Sequence, residues 1–301
     1  YMGVYEIRDR DEAVSIMVDK ANIAADTIKN NYDCCVAYYD EHLLEISIEQ
    51  RRLLGEFEPA LQNDEFVMYL QPQVNRDGAA KGAEALVRWV HPSRGILTPY
   101  AFIDILENAG LIYKLDLYIW EKAAQKLAEW KEKGYGSYHI SVNISTKDFY
   151  IIDIYETFTG LINKYGIAAS NLHLEITETT LMTDFEKNMN IIHKLQGVGF
   201  RVEIDDFGSG YSSLNMLKDI SADVLKIDMG FLRKSENEVK GQDILESIIT
   251  LAGKIGMDVI TEGVETKKQL DMLTMMGCHE FQGYYFSKPV PVSEFEEKYL
   301  V

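Results

Sequence analysis

The run Ile204-Asp205-Asp206-Phe207-Gly208-Ser209-Gly210-Tyr211-Ser212-Ser213-Leu214 ends an apolar strand pattern in two adjacent carboxylates and a glycine-hinged loop. Adjacent strand residues point to opposite faces, so Asp205 and Asp206 act together only where the strand is dissolving into a loop. Gly208 and Gly210 supply that loop. Alone, the pair reads as an exposed turn that opens a helix. It is not alone, because other strand-like runs deliver polar residues with the same period.

In His139-Ile140-Ser141-Val142-Asn143-Ile144-Ser145 the aliphatics share one face, and Ser141, Asn143 and Ser145 the other. Leu172, Leu174 and Ile176 alternate with His173, Glu175 and Thr177. Glu203 and Asp205 alternate with Val202 and Ile204, and Lys226 and Asp228 with Leu225 and Ile227. Glu84, Leu86 and Arg88 share one face, and Glu262 ends the run Asp258–Glu262.

Two carboxylates about 4 Å apart repel by about 4 kcal/mol at an effective dielectric of about 20. Glu84, Glu175, Asp205, Asp206 and Glu262 facing one interior therefore demand bound cations or shared protons. An oxygen set with the Asn143 amide suits Mg²⁺ or Mn²⁺ better than zinc. With two such ions the pocket becomes a device for phosphodiester hydrolysis, in which the ions polarise the phosphoryl oxygens and lower the pKa of a bridging water. Lys226 stands where it could hold or deprotonate that water or stabilise charge on the phosphate. The plainer role for Lys226 is an ion pair with Asp228 or Asp205.

The elements that must position these groups follow from the pattern. Strands are expected near 65–74, 81–90, 138–145, 172–178, 201–207, 223–228, 257–263 and 279–287. Helices are expected at Leu115–Lys133, Phe149–Tyr165, Asp184–Gly197, Gln242–Ile255 and Lys267–Met276. The fold class is thus α/β, a TIM-like (β/α)8 barrel whose acids sit near the C-terminal ends of its strands. Only Asn75 to Ala80, with Gly78, separate the first two strands, so the first should run antiparallel to the second. Residues 1 to about 58 lie outside this repeat and read as strand (Met2–Ile7), helix (Glu12–Lys29), strand (Cys35–Tyr39) and a charged helix from Leu44 to about Glu58.

A hydrophobic content of 47% suffices for a large core. A net charge of −18 argues against a general DNA- or RNA-polymer binder, so a phosphate ligand must meet a local cation. Three cysteines make neither a disulfide framework nor a CxxC site, which fits the cytoplasm. No membrane span or targeting signal is read, and a sequence opening at Tyr1 is expected to be part of a longer chain, which could itself carry a membrane anchor. His91, His173, His193 and His279 show no HExxH spacing and read as structural; Phe281–Phe286 reads as barrel wall, although Tyr284 or Phe286 near the mouth could stack on a base, and Met272, Met275 and Met276 read as helix core.

Taken in order, Gln71-Pro72, Glu84-Ala85-Leu86-Val87-Arg88, Asn143-Ile144-Ser145, Glu175-Ile176-Thr177-Glu178, Asp205-Asp206-Phe207-Gly208, Leu225-Lys226-Ile227-Asp228, Glu262-Gly263-Val264-Glu265 and Gln282-Gly283-Tyr284 resemble the motifs of the EAL-domain phosphodiesterases that hydrolyse cyclic di-GMP. The resemblance covers about residues 57 to 301. It implies a barrel with an antiparallel first strand, and an enzyme that linearises cyclic di-GMP to pGpG with two Mg²⁺ or Mn²⁺ ions, Ca²⁺ being inhibitory. It implies that Glu84, Asn143, Glu175 and Asp205 hold one ion and that Asp205, Asp206 and Glu262 help hold the second. Lys226 is implied to contact the catalytic water.

Gln71, Leu86, Arg88, Asp228 and Gln282 are implied to contact substrate or support the inner residues, together with Glu84 and Asn143. Glu265 is implied either to contact guanine or merely to open the following helix. Glu178 is implied to anchor the loop from Asp206 to Leu217, and the family-based expectation is a homodimer. None of these positions is replaced, so an active enzyme is expected; the rival is a catalytically silent cyclic di-GMP receptor. Residues 1–40 resemble, more loosely, the C-terminal end of a GGDEF-like domain, with residues 41–56 as a helical linker. No Gly-Gly-Asp-Glu-Phe run occurs, so no cyclase activity is assigned.

Overall fold

The computed structural model describes residues 1–28, 35–207, 220–228, 230 and 238–300. Strands β1 (Met2–Val4) and β2 (Val36–Tyr38) pair in parallel beside the helix Val14–Asp26. The helix Glu41–Gln62 follows, N-capped by Asp40, whose carboxylate accepts from the Leu43 amide. It buries Leu53, Phe57 and Ala60. Phe57 meets Phe66 edge-on at 5.6 Å, in an aromatic cluster with Trp89 and Phe102. Burying a side chain of that size is worth about 1.5–3 kcal/mol, so the C-terminal half of this helix is held to the barrel by apolar packing.

The barrel consists of β3 (Phe66–Val74), β4 (Ala80–His91), β6 (His139–Ile144), β7 (Leu172–Thr177), β8 (Val202–Phe207), β9 (Val224–Asp228), β10 (Asp258–Glu262) and β11 (Glu280–Phe281). A short β5 (Gly95–Leu97) follows β4, and β12 (Val290–Pro291) pairs with β3. From β4 through β11 the barrel strands are parallel, while β3 runs antiparallel to both β4 and β11 and closes the circle. The expected hairpin is present. The Asn75 side chain accepts from the amides of Asp77 and Ala79 at 2.9 and 3.0 Å, and Gly78 takes φ +82°.

Alternation decides the faces. Ile140, Val142, Leu172, Leu174, Ile176, Val202, Ile204, Leu225 and Ile227 are buried under the helices. The residues between them turn to the barrel axis, where the interior is polar. Outer packing supplies the core, and the interior is left for ionisable groups.

Four expectations differ. The helix expected over Phe149–Tyr165 is two helices, Asp148–Ile151 and Ile154–Tyr165, because Asp153 leaves the helical conformation and caps the second through the Glu156 amide at 3.0 Å. The strand expected at 279–287 is only Glu280–Phe281. Beyond it the chain turns, with Phe286 and Ser287 amides donating to the Gly283 carbonyl. Phe281 is fully buried and Phe286 packs against the core, yet Tyr284 between them is 60% exposed, so the aromatic run is wall only at its two ends. Met275 is 81% exposed, and only Met272 and Met276 pack against the core.

Candidate active site

Lys226, in the middle of β9, is fully buried, and its ammonium is the hub of the interior. Nζ lies 2.6 Å from Glu262 Oε1, 2.9 Å from Glu175 Oε2, 3.2 Å from Asp205 Oδ1 and 3.4 Å from Glu84 Oε2. These acids come from β10, β7, β8 and β4; Glu84 lies in the first half of its strand, while Glu175, Asp205 and Glu262 lie toward or at the C-terminal ends of theirs. That is the end at which barrels carry chemistry.

Amides complete the set. Asn143 Nδ2 donates to Glu84 Oε1 at 3.2 Å, while Gln282 Nε2 donates to Glu84 Oε2 at 2.5 Å and to Gln71 Oε1 at 3.2 Å. Gln71 in turn donates to the Ser287 carbonyl. Gln282 is aimed by its neighbour: a Cβ on Gly283 would lie 2.2 Å from the Val264 carbonyl oxygen and 2.4 Å from the Val264 nitrogen. Only glycine lets this turn press against the loop that follows Glu262. Asn143 is held from behind by the Trp120 indole, which donates to the Asn143 carbonyl at 2.9 Å.

Strand β8 solves the problem of two adjacent acids differently from the expected loop. The strand continues through Phe207, but its register to β9 slips between Ile204 and Phe207, and Asp206 takes φ +57°. A bulge with a left-handed residue turns both carboxylates toward the mouth, at a cost of about 1–3 kcal/mol for such a conformation. Burial and the neighbouring Asp205 push the Asp206 carboxyl up. The segment from Gly208 to Leu217 lies outside the described residues, so the loop expected to be anchored by Glu178 does too. Glu178 itself opens the helix Glu178–Thr183, whose cap Thr177 bonds Thr180, which also bonds Thr146.

The charges do not balance. Four carboxylates face one ammonium. Burial alone would depress the Lys226 ammonium, but Asp205, Glu175, Glu262 and Glu84 outweigh it and hold the group well above the ordinary lysine range. Burial, reinforced by Glu84, pushes Glu175 far up, and burial pushes Glu262 up to about 8 despite Lys226. Apart from Lys226, Glu175 Oε1 and Oε2, Asp205 Oδ1 and Glu262 Oε1 have no hydrogen-bond partner among the described residues. Unpaired buried carboxylate oxygens with an amide beside them are the donor chemistry of hard divalent cations.

The remaining predicted residues lie around this set. Arg88 is half-buried. Its guanidinium sits 5.5 Å from the Tyr69 ring, donates to the Val87 carbonyl, and forms no ion pair among the described residues. Leu86 pairs in register with Tyr69. Asp228 does not reach Lys226, because Oδ1 accepts from the Gly230 amide at 2.7 Å. Of the two plainer partners expected for Lys226, only Asp205 is engaged. Glu265 is exposed, and its amide donates to Gln269 just ahead of the Thr266–Gln269 capping box.

Several functional-looking groups escaped the sequence reading. At the opposite, N-terminal mouth, His173 Nδ1 meets Glu203 Oε1 at 2.5 Å, and His139 stacks on His173 at 3.9 Å. Behind β6, Asp148 accepts from the Ser145 amide at 2.8 Å, and burial keeps the neighbouring Asp116 protonated far above the usual carboxylate range. Both sets are built across elements. The one sequence signal for the first was the strand period that puts His173 and Glu203 on the inner face.

The EAL domain family model matches residues 55–289. A bifunctional diguanylate cyclase/cyclic di-GMP phosphodiesterase, MucR of Pseudomonas aeruginosa, is 32% identical over 272 residues, covering 90% of this chain and 39% of MucR. The cyclic di-GMP phosphodiesterase PdeR of Escherichia coli is 33% identical over 240 residues, covering 80% of this chain and 36% of PdeR. The chain thus spans about two-fifths of the length of these curated relatives. The solved PaMucR phosphodiesterase in its c-di-GMP complex superposes with a TM-score of 0.77 at 33% identity, covering 81% of this chain and 99% of that one. An EAL domain protein from Listeria monocytogenes superposes with a TM-score of 0.67 at 30% identity, covering 82% and 97%.

Proposed function

This chain belongs to the EAL domain family, and from that premise we propose that it hydrolyses cyclic di-GMP to linear pGpG in a reaction that requires divalent cations. The carrying observation is Lys226 enclosed by Glu84, Glu175, Asp205 and Glu262, an excess of acid that one ammonium does not neutralise. The oxygen donors fit Mg²⁺ or Mn²⁺. Glu84, Asn143, Glu175 and Asp205 would hold one ion, and Asp205, Asp206 and Glu262 would help hold a second. Such ions supply the Lewis acidity that polarises a phosphoryl group and lowers the pKa of water.

The chain's own residues do the rest. Lys226, held among these acids, would contact the attacking oxygen or the phosphoryl group. Gln282 and Asn143 fix the Glu84 carboxylate by donating to both of its oxygens. Arg88, backed by Tyr69, offers a planar fork to the phosphate, and Gln71 and Leu86 line the approach to it. Asp228 and Glu265 are assigned to the substrate's outer contacts, and Glu178 to the loop that follows Asp206.

In this reading residues 57–301 are the phosphodiesterase barrel, residues 41–56 its helical linker and residues 1–40 the end of a GGDEF-like domain. The parallel β1–β2 pair with its helix is compatible with that last assignment. The assembly is a homodimer acting in the cytoplasm. Among the described residues no helix is long and apolar enough to cross a membrane.

Chromatographic product analysis with cyclic di-GMP tests the reading. Mg²⁺ or Mn²⁺ should yield pGpG, and Ca²⁺ should support binding with turnover suppressed. Tight binding with no linear product in Mg²⁺ and Mn²⁺ would replace the enzyme by a silent receptor. Release of inorganic phosphate without a dinucleotide would remove the diesterase assignment.

A further inference from the structure

We propose that His139, His173 and Glu203 form a second metal site, of the zinc class, at the N-terminal mouth of the barrel, opposite the Lys226 centre. One potential ligand atom from each residue lies within 4.8 Å of the others. Two imidazoles and a carboxylate are borderline-soft donors, unlike the oxygen set at the other mouth. Glu203 is fully buried, and its Oε2 has no hydrogen-bond partner among the described residues.

The surroundings are arranged as they are around ligating histidines. His139 Nε2 faces Gln73 Oε1 at 2.7 Å, and His173 Nε2 faces the Ser170 carbonyl at 3.2 Å. His139 thereby spends Nε2 on an orienting oxygen and keeps Nδ1 for an ion, whereas His173 Nδ1 is bonded to Glu203 Oε1 at 2.5 Å, a contact into which an ion would have to insert. Gly82 makes the space: a Cβ there would lie 2.4 Å from the His139 ring. A cavity of about 590 Å³ lined by all three residues opens to solvent and gives an entry path. Its cations are spoken for, Lys81 by Glu280 and Arg201 by Asp258.

The two rings are near-parallel, at 4° and 3.9 Å between centroids. An ion lies in the plane of the ring that binds it, so one ring must tilt from the stack when zinc enters. An occupied site would tie β6, β7 and β8 together below Asn143, Glu175 and Asp205. The proposal does not depend on the reaction carried out at the other mouth.

Crystals of the chain, held in excess Mg²⁺ and soaked in Zn²⁺, should show an anomalous zinc peak about 2.0–2.2 Å from nitrogens of both histidines and an oxygen of Glu203. In dialysis against Zn²⁺ with excess Mg²⁺, the wild type should retain one equivalent more than His139→Gln or His173→Gln. Gln73→Ala, which frees the ring without removing a ligand, should weaken that equivalent by about 10–100-fold. If the histidine variants do not fold, the soaked wild-type crystal decides by itself. Zinc at the Lys226 end only, or equal retention by wild type and folded variants, would reduce the cluster to a structural ion pair.

Discussion

Replacing Lys226 by methionine removes the one cation that the described residues place in the centre, while keeping the length of its stem. At an effective dielectric of about 20, an ion pair at the separations found here, 2.6–3.4 Å, is worth about 5–6 kcal/mol before desolvation. Breaking a buried pair by deleting one partner costs about 3–5 kcal/mol net, because charge is left uncompensated. For a barrel of this size about 2 °C accompanies each kcal/mol, so Lys226→Met in chelator should melt about 6–10 °C below the wild type. Divalent cations supply the missing charge. Mn²⁺ should therefore raise the melting temperature of the variant more than that of the wild type, while turnover of cyclic di-GMP falls. Scanning calorimetry with and without Mn²⁺ gives both shifts. A chelated variant melting within about 2 °C of the wild type would show that the four acids do not depend on Lys226, and the charge-excess argument would go with it.

Three further outcomes are expected. Glu175→Ala should abolish turnover through lost metal, read as a large rise in the Mn²⁺ concentration needed for activity; near-normal turnover would take Glu175 out of the metal shell. Asp206→Gly keeps the left-handed bulge while deleting the carboxylate. Stability should stay within about 1 kcal/mol, since relieved strain offsets the freer unfolded chain, and turnover should drop at least about tenfold; an unchanged rate would leave Asp206 a purely structural residue. Asp116 holds its proton in the fold with a raised pKa, so its stabilising contribution is full below the unfolded value near pH 4 and is lost as pH rises through the folded value. Asp116→Asn, which cannot ionise, should melt progressively higher than the wild type as pH increases, and a melting difference independent of pH would contradict that assignment.

The barrel was legible because both of its determinants are local. Aliphatic residues two apart in Ile140–Ile144, Leu172–Ile176 and Val202–Ile204 announce strands buried outward, and the acids between them announce an ionisable interior. The short Asn75–Ala80 connection forces the antiparallel first strand for the same reason, since a crossover cannot be made in that length. The helix break at Ile152–Asp153 was less visible, because the apolar period continues across a residue whose side chain prefers the cap. The eighth strand was overread because β-prone aromatics persist beyond Gly283, where a backbone contact with Val264 turns the chain away.

From the residues and their spacing came an inward company of acids with one lysine and several amides, and hence a charge excess that calls for hard cations. Only the folded sheet decided that Lys226 touches four of those acids and not Asp228, and that Asp205 and Asp206 are reconciled by a bulge. The tertiary structure also brought His139, His173 and Glu203 together at the other mouth. A strand's alternation is set by its own backbone, which sequence records. Which side chains meet across a barrel depends on stagger between strands, on register slips and on glycine-allowed close approaches, and these arise only when the strands pair.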